Sequence, residues 1–431
     1  MMHTEVSATT KRLSAEQQGA MLLALALASG AALGWLSWGP GRAPALAALL
    51  PVLIAQCKTR GQAFALGAGY TLGILRHTAA FIGSWFDDSL LIGGAAVATY
   101  ALISGSVWCL GWSSSSSEWR KALAVAVAWA VALLPPATLG LPGHPLIAWG
   151  TIAPGSGWFG VAASVLVPAV LVWVMQRCRA RIARSETIAL MVLLAGLGAL
   201  GLARYEPASS HAPGIAAVST EWGKTGGADD VLRRTYSMGQ MSERLAVEGV
   251  PLTVFWPESI LGEYDPALYP ILEMDVLQPA EKHGQTMVIG IDLPLPGRKF
   301  ENAAVAFYPD GRSEVAVARQ PAPASLWRPW RRDWTFLADW TASNMLSLRD
   351  ERRAAIIFCY EEYLPILYLI NEARDRPDIY VAMANTWAER SPVGSEIQTQ
   401  HSLGIARLFG RPYVKAENRP IQSRAGQHHL P

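Results

Sequence analysis

Cys359 and Glu258 are the residues of this sequence best suited to covalent chemistry. Cys359 closes the apolar run Ala354-Ala-Ile-Ile-Phe-Cys359 and is followed by Tyr360-Glu361-Glu362, which reads as a helix start. A thiol on a strand-to-helix turn projects beyond the sheet edge, where the free N–H groups of the helix start favour a thiolate and can hold an oxyanion. Glu258 stands 101 residues earlier, after the apolar stretch Leu252–Trp256 and Pro257. A carboxylate at a second strand end deprotonates the thiol if the two strands are neighbours, and that is how a cysteine nucleophile is activated. The chain has four cysteines, Cys57, Cys109, Cys178 and Cys359, and only the last lies in the second half. It has no disulfide partner there, so it is either buried and inert or a nucleophile. Glu361 and Glu362 are also acids that a helix dipole favours in its first turn.

The elements that position these residues belong to a chain of two unlike halves. Met1–Tyr205 carries 13 Lys/Arg and 6 Asp/Glu; Glu206–Pro431 carries 23 and 28. The whole chain is 16% charged, against about 25% for a soluble protein. A single soluble domain, a disordered chain and a basic nucleic-acid binder are excluded, and direct nucleic-acid binding is not expected. The expected organisation is a transmembrane domain over 1–204 and a soluble domain over 205–431.

Seven stretches are apolar enough to be membrane spans of about 20 residues: Ala20–Trp38, Ala43–Cys57, Gly61–Trp85, Ser89–Trp112, Ala122–Leu141, Pro154–Gln176 and Thr187–Ala203. The second is short and holds Pro51. Basic residues fall on alternate connections: Lys11 and Arg12; Lys58 and Arg60; Arg120 and Lys121; Arg177, Arg179, Arg181 and Arg184. That alternation puts the amino terminus in the cytoplasm and everything from Arg204 onward outside. Arg76 and His77 fall inside the third stretch, as a functional site or as a polar contact to a neighbouring helix.

From about Gly214 the pattern changes. Ile215–Ser219, Leu252–Trp256, Thr286–Ile291, Ala303–Tyr308, Ala354–Cys359 and Ile379–Ala384 read as strands, and Asp229–Glu248, Glu361–Ala373 and Ser395–Phe409 as helices. Apolar strands alternating with amphipathic helices make a layered α/β domain. Over this second half no GxGxxG, GxxxxGK[ST], HExxH or paired CxxC occurs, so no cofactor and no metal is expected. Trp327, Trp330, Trp334 and Trp340, interleaved with Arg328, Arg331 and Arg332, are either a belt resting on lipid head groups or an ordinary solvated loop.

The motif residues carry a resemblance. Phe255-Trp256-Pro257-Glu258-Ser259 resembles the glutamate motif of the nitrilase (carbon–nitrogen hydrolase) superfamily, and more narrowly that of the bacterial apolipoprotein N-acyltransferases. Phe358-Cys359-Tyr360-Glu361 with Pro365 is similar to their nucleophile motif. Glu301–Ala304, Ala384–Trp387, Gln400-His401 and Ala406–Pro412 resemble further family segments, in order, over about Gly214–Arg419. The whole architecture and the segment Arg319–Trp330 look most like a family of plasmid conjugal-transfer proteins, divergent relatives of those acyltransferases.

The resemblance implies an α-β-β-α sandwich with a Glu–Lys–Cys triad in the periplasm, anchored in the bacterial inner membrane by a multi-pass domain. Glu258 would be the general base, Cys359 the nucleophile, and the Tyr360 N–H part of an oxyanion hole; Glu361, Asn385 and Trp387 would belong to the pocket. The family's lysine position falls on Ala318. Arg319 reaches it only with a one-residue gap, as a stand-in that cannot share protons as lysine does. The family's final span has no counterpart in the short polar stretch Arg419–Pro431. Two functions follow. One is a cysteine-dependent acyltransferase or amidohydrolase acting through a thioester on a lipid or membrane-protein substrate in conjugal transfer. The other is a docking or assembly part of the conjugation apparatus that has lost its chemistry.

Overall fold

The computed structural model describes residues 14–178, 183–204, 211–247 and 253–421. Lys11, Arg12, Arg179, Arg181, the 204/205 boundary on its 205–210 side, Glu248, Leu252 and the tail from 422 lie outside the described residues, as do the side chains of Cys178 and Arg184.

In the first half α1 is Ala15–Ser37, opened by a capping box in which Ser14 accepts from the Gln17 N–H and Gln17 answers. A 3₁₀ turn Pro44–Leu49 leads into α2 (Leu50–Gln56), and α3 is Arg60–Ile74. There follow α4 (Thr78–Ser84), α5 (Leu90–Trp108), α6 (Glu118–Leu133), α7 (Trp149–Ile152), α8 (Gly157–Cys178) and α9 (Ala183–Ala203). Three helices among the described residues are long and apolar enough to cross a membrane: Ala15–Ser37, Leu90–Gly111 and Gly157–Arg177. Their outward faces are apolar, with Leu25, Leu91, Leu102, Phe159 and Leu166 all more than half exposed. Gly30 of α1 shows how closely α1 and α3 approach. A Cβ there would lie 2.0 Å from the Leu66 carbonyl oxygen, so only glycine permits this helix contact.

Two of the expected spans are broken. The third stretch is α3 and α4, with Leu75, Arg76 and His77 between them. Arg76 donates to the carbonyls of Gly73 (2.7 Å) and Trp38 (2.9 Å) and so ties the α3 end to the loop after α1. It is a structural contact, and the break arises because a guanidinium in apolar surroundings needs carbonyl partners. The fifth stretch stops being helical at Leu133, since Pro135 and Pro136 cannot supply helical N–H groups.

The second half is a two-sheet sandwich. Strands β1 (His211–Ala212), β2 (Ile215–Ala217), β3 (Thr253–Phe255), β4 (Thr286–Leu295), β5 (Lys299–Phe307) and β6 (Ser313–Val317) form one sheet in that order, with β7 (Thr335–Phe336) on β5. Strands β8 (Met345–Ser347), β9 (Arg353–Phe358), β10 (Ile379–Asn385) and β11 (Tyr413–Asn418) form the other, in the order β11-β10-β9-β8. Phe255, Val288 and Ala304 of the first sheet meet Ile356, Phe358, Val381, Met383 and Val414 of the second in a core between the sheets. Helix α10 (Ala228–Val247) covers the outer face of the first sheet with α11 (Tyr269–Leu272) and α12 (Gln278–Lys282). Helices α13 (Pro365–Arg374) and α14 (Pro392–Leu408) cover the second. These are the four layers the resemblance implies.

Helix α14 also rests on the helical first half. Gln400 bonds both the N–H (2.9 Å) and the carbonyl (2.7 Å) of Gly39, and His401 Nε2 accepts from the Gly143 N–H at 2.7 Å. The Gln-His pair of the sequence motif is therefore a seam between the halves.

Candidate active site

Glu258 is placed by a short parallel strand and a glycine. β3 pairs with β4, and beyond its end the Trp256 N–H donates to the Val288 carbonyl at 2.8 Å. Trp256 is fully buried and stacks on Trp222. The chain then crosses directly over Gly290 of β4. A Cβ at Gly290 would lie 2.2 Å from the Pro257 oxygen and 2.7 Å from Cα of Glu258. Ser259 adopts a left-handed φ of 45° and donates its hydroxyl to Asp292 at 2.6 Å. The result is a carboxyl group only 5% exposed, held by Asn302 Nδ2 on one oxygen and by the Asn385 N–H on the other at 3.2 Å. Burial pushes its pKa up to about 8, and Asp292 and Glu361 add to the rise while the Asn302 bond opposes it. A carboxylate with that affinity for protons is well matched to a thiol.

Cys359 begins a single 3₁₀ turn, Cys359–Tyr363, at the end of β9. The expected long helix from Glu361 instead starts at Pro365 as α13, because Leu364, preceding that proline, leaves the helical region at φ −108° and ψ 84°. Gln398 of α14 donates to the thiol at 3.4 Å. Burial is the main cause that raises the thiol pKa, followed by the charges of Glu258 and Glu362. Gln398 and Lys415 work in the other direction.

Glu258 and Cys359 face one cavity of about 1180 Å³, which Tyr360, Asn302, Asn385, Trp387 and Gln398 also line. Its walls also include Phe81, Ile82, Trp85 and Phe86 of the α4 region, Ile92, Ala96, Tyr100 and Ile103 of α5, and the loops 261–268 and 320–327 of the second half. The Tyr360 hydroxyl donates to the Leu139 carbonyl, and Trp387 meets Trp85 edge to face at 5.3 Å. Glu258 and Cys359 therefore sit where the two halves meet, with a polar end on the sandwich and an apolar end on the helices.

Two expected site residues are elsewhere. Glu361 is buried, but its carboxyl accepts from the N–H groups of Phe358 (3.1 Å), Arg319 (2.6 Å) and Gln320 (2.9 Å). It braces the Cys359 turn against the segment after β6 and does not line the cavity. Arg319 is fully buried with its guanidinium turned to the Ala342 carbonyl and Asn371 Oδ1. It does not line the cavity, and Ala318 lies in the core between the sheets. Arg319 therefore does not take the lysine's place beside the thiol; its guanidinium is turned away, toward Ala342 and Asn371 of α13.

The basic-aromatic loop divides as well. Trp327 and Trp334 line the cavity, and Trp340 donates to Gln320 at 3.0 Å. Only Trp330 projects, 67% exposed. Gln398 and Lys415 escaped the sequence reading, and Asn302 entered it only within the segment Glu301–Ala304, not as a site residue. Asn302 carries the one signal available, an amide amid the small apolar residues of Glu301–Ala304.

The ionisation of Glu258 predicts a pH dependence. The base form is needed, so reactivity of Cys359 toward iodoacetamide should rise with pH through about 8. In Glu258→Gln that inflection should vanish and the remaining rise move to higher pH. Alkylation rates of the Cys359 peptide between pH 6 and 10, read by mass spectrometry, check both; an unchanged profile in Glu258→Gln would uncouple the two groups.

The chain is similar over most of its length to two conjugal transfer proteins. It is 27% identical over 384 residues to the probable conjugal transfer protein TraB of Sinorhizobium fredii, covering 86% of this chain and 92% of that protein. It is 29% identical over 421 residues to conjugal transfer protein TraB of Agrobacterium fabrum, covering 93% and 92%. Similar solved structures include an amidase from Nesterenkonia sp., at 13% identity over 47% of this chain and 74% of the amidase, with a TM-score of 0.35. A carbon–nitrogen hydrolase from Helicobacter pylori G27 is 12% identical over 48% and 72%, with a TM-score of 0.36. No family model matches the chain.

Proposed function

We propose that the protein is a membrane-anchored cysteine acyltransferase or amidohydrolase serving plasmid conjugal transfer. The observation that carries this reading is the pairing of a buried, proton-avid Glu258 with the Cys359 thiol in a cavity walled on one side by apolar helices of the first half. The similarity to the two conjugal transfer proteins supplies the process.

The chemistry balances as follows. Glu258 takes the thiol proton while sulfur bonds to the acyl carbon, and the oxyanion meets the N–H groups of the first turn after β9, such as that of Tyr360. The leaving group departs with the proton from Glu258, and the thioester remains. An amine or a water then gives Glu258 its proton, bonds to the acyl carbon and releases the thiolate. Asn302 and the Asn385 N–H hold the carboxyl group in place through both steps.

The cavity supports a lipid-borne acyl group as donor, drawn from the bilayer in which a multi-pass domain would sit, with the sandwich on the periplasmic face. The competing reading is a docking component of the conjugation apparatus; Ala318 in the core and Arg319 turned away favour it. Intact-mass measurement on protein extracted from host membranes separates the two. An acyl adduct on the Cys359 peptide, lost on hydroxylamine treatment, is the expected result. Ala96→Trp, which fills the apolar end, should shift the adduct to shorter chains or reduce it about tenfold or more. No adduct on Cys359 under any extraction would remove the acyl-enzyme reading.

A further inference from the structure

The register of the second sheet brings a buried lysine toward the turn that carries Cys359. β9, β10 and β11 are parallel, with Ile357 beside Ala382 and Ala382 beside Lys415; one step on, Phe358, Met383 and Ala416 are level. Side chains alternate along a strand, so Lys415 and Glu417 share the face of Ile357, the side covered by α14, from which Gln398 reaches the Cys359 thiol. Two strand spacings separate β11 from β9, roughly 10 Å, and a lysine stem spans much of that.

Lys415 is 7% exposed. Its ammonium lies 2.9 Å from Glu362, 3.3 Å from Thr399 Oγ1 and 3.7 Å from Glu417. Glu362 belongs to the same turn as Cys359, and it also accepts from Ser402 (2.8 Å) and Tyr413 (3.0 Å). Thr399 directly follows Gln398, the residue that donates to the thiol. A buried ion pair is costly to build into an apolar face. This one joins β11 to the turn that begins with Cys359, beneath α14.

We propose that Lys415 and Glu362 set the ionisation of Cys359 as positioning residues, Lys415 supplying from β11 the positive charge that no residue supplies after β6. The proposal rests on the reading of Cys359 as a nucleophile. The ionisable groups that face the thiol are Glu258 from the loop after β3, Glu362 and Tyr363 from its own turn, and Lys415 from β11. The lysine charge favours the thiolate and the two carboxylates oppose it.

The sign of each change makes the idea testable. In full-length protein in native membranes, iodoacetamide labelling of the Cys359 peptide is followed against pH. Lys415→Met should move the midpoint up by about one unit and slow labelling at pH 8 about tenfold, while Lys415→Arg should restore most of the rate. Glu362→Gln keeps the shape and removes the opposing charge, so it should shift the midpoint down and speed labelling about threefold or more. A merely structural pair would instead slow labelling in both, or leave both profiles at wild type, and either outcome overturns the proposal. If Lys415→Met fails to accumulate, Glu362→Gln decides alone: a faster reaction upholds the proposal and an equal or slower one overturns it. Absence of labelling at any pH in the wild type would be a different failure, of Cys359 as nucleophile.

Discussion

Cys359→Ser should abolish conjugal transfer, lowering its frequency on the order of a thousandfold or more while the protein still inserts and accumulates. Serine is the smallest change available at this position. The side chain is half-buried, and its polar neighbour, the Gln398 amide, is as content with a hydroxyl as with a thiol. The fold should therefore survive. The chemistry should not, because a hydroxyl is far harder to deprotonate than a thiol and is a poorer nucleophile. Glu258→Gln should produce a comparable loss by a different route. The amide can still accept the Asn385 N–H, but it removes the proton acceptor and places a second NH₂ group against Asn302. Transfer frequency in matched donor strains, with protein level read by immunoblot, measures both. Wild-type transfer with Cys359→Ser at wild-type abundance would leave the docking reading in possession.

The sandwich was legible where strands obey a simple rule. β3, β9 and β10 are short, apolar and buried on both sides, and the sequence marks them by composition alone. The candidate pair was legible for the same reason, since Glu258 and Cys359 stand past the ends of such strands. β11 was missed because Lys415 and Glu417 alternate with Val414 and Ala416, which reads as a half-solvated segment. In the fold both faces are covered, and the charges are satisfied by Glu362 and Arg419. The β4–β5 hairpin was underestimated because Pro294 and Pro296-Gly297 look like an ending. In the fold Pro294 sits opposite Phe300 near the tip. Arg319 was misread for want of a facing. Its neighbour Gln320 lines the cavity, while in the bend after β6 the Arg319 guanidinium goes to Asn371 of α13. In the helical first half hydropathy found the apolar stretches, but helix breaks at Arg76 and Pro135 depend on partners that composition does not reveal.

Glu361→Ala should be the most destabilising single change near the site, by about 3–6 kcal/mol. Its carboxyl is the acceptor for three buried backbone N–H groups, those of Phe358, Arg319 and Gln320. Alanine leaves all three without a partner, and each orphaned donor costs about 1–3 kcal/mol. The two oxygens divide the work unequally. Oε1 serves Arg319 and Gln320, and Oε2 serves Phe358. Glu361→Gln therefore keeps an acceptor for the first two and turns an NH₂ donor toward the third, so its cost should be only about 1–3 kcal/mol. The difference reaches function through the same bonds. The Phe358 N–H immediately precedes the nucleophile, and the Arg319 and Gln320 N–H groups fix the segment that forms the cavity wall beside it. Glu361→Gln should thus slow Cys359 alkylation while the fold persists, whereas Glu361→Ala should lose the folded protein first. Thermal unfolding in detergent together with Cys359 labelling reads both quantities. Equal stability of the alanine and glutamine variants would show that the three N–H groups find other acceptors and that Glu361 is not the brace of the turn.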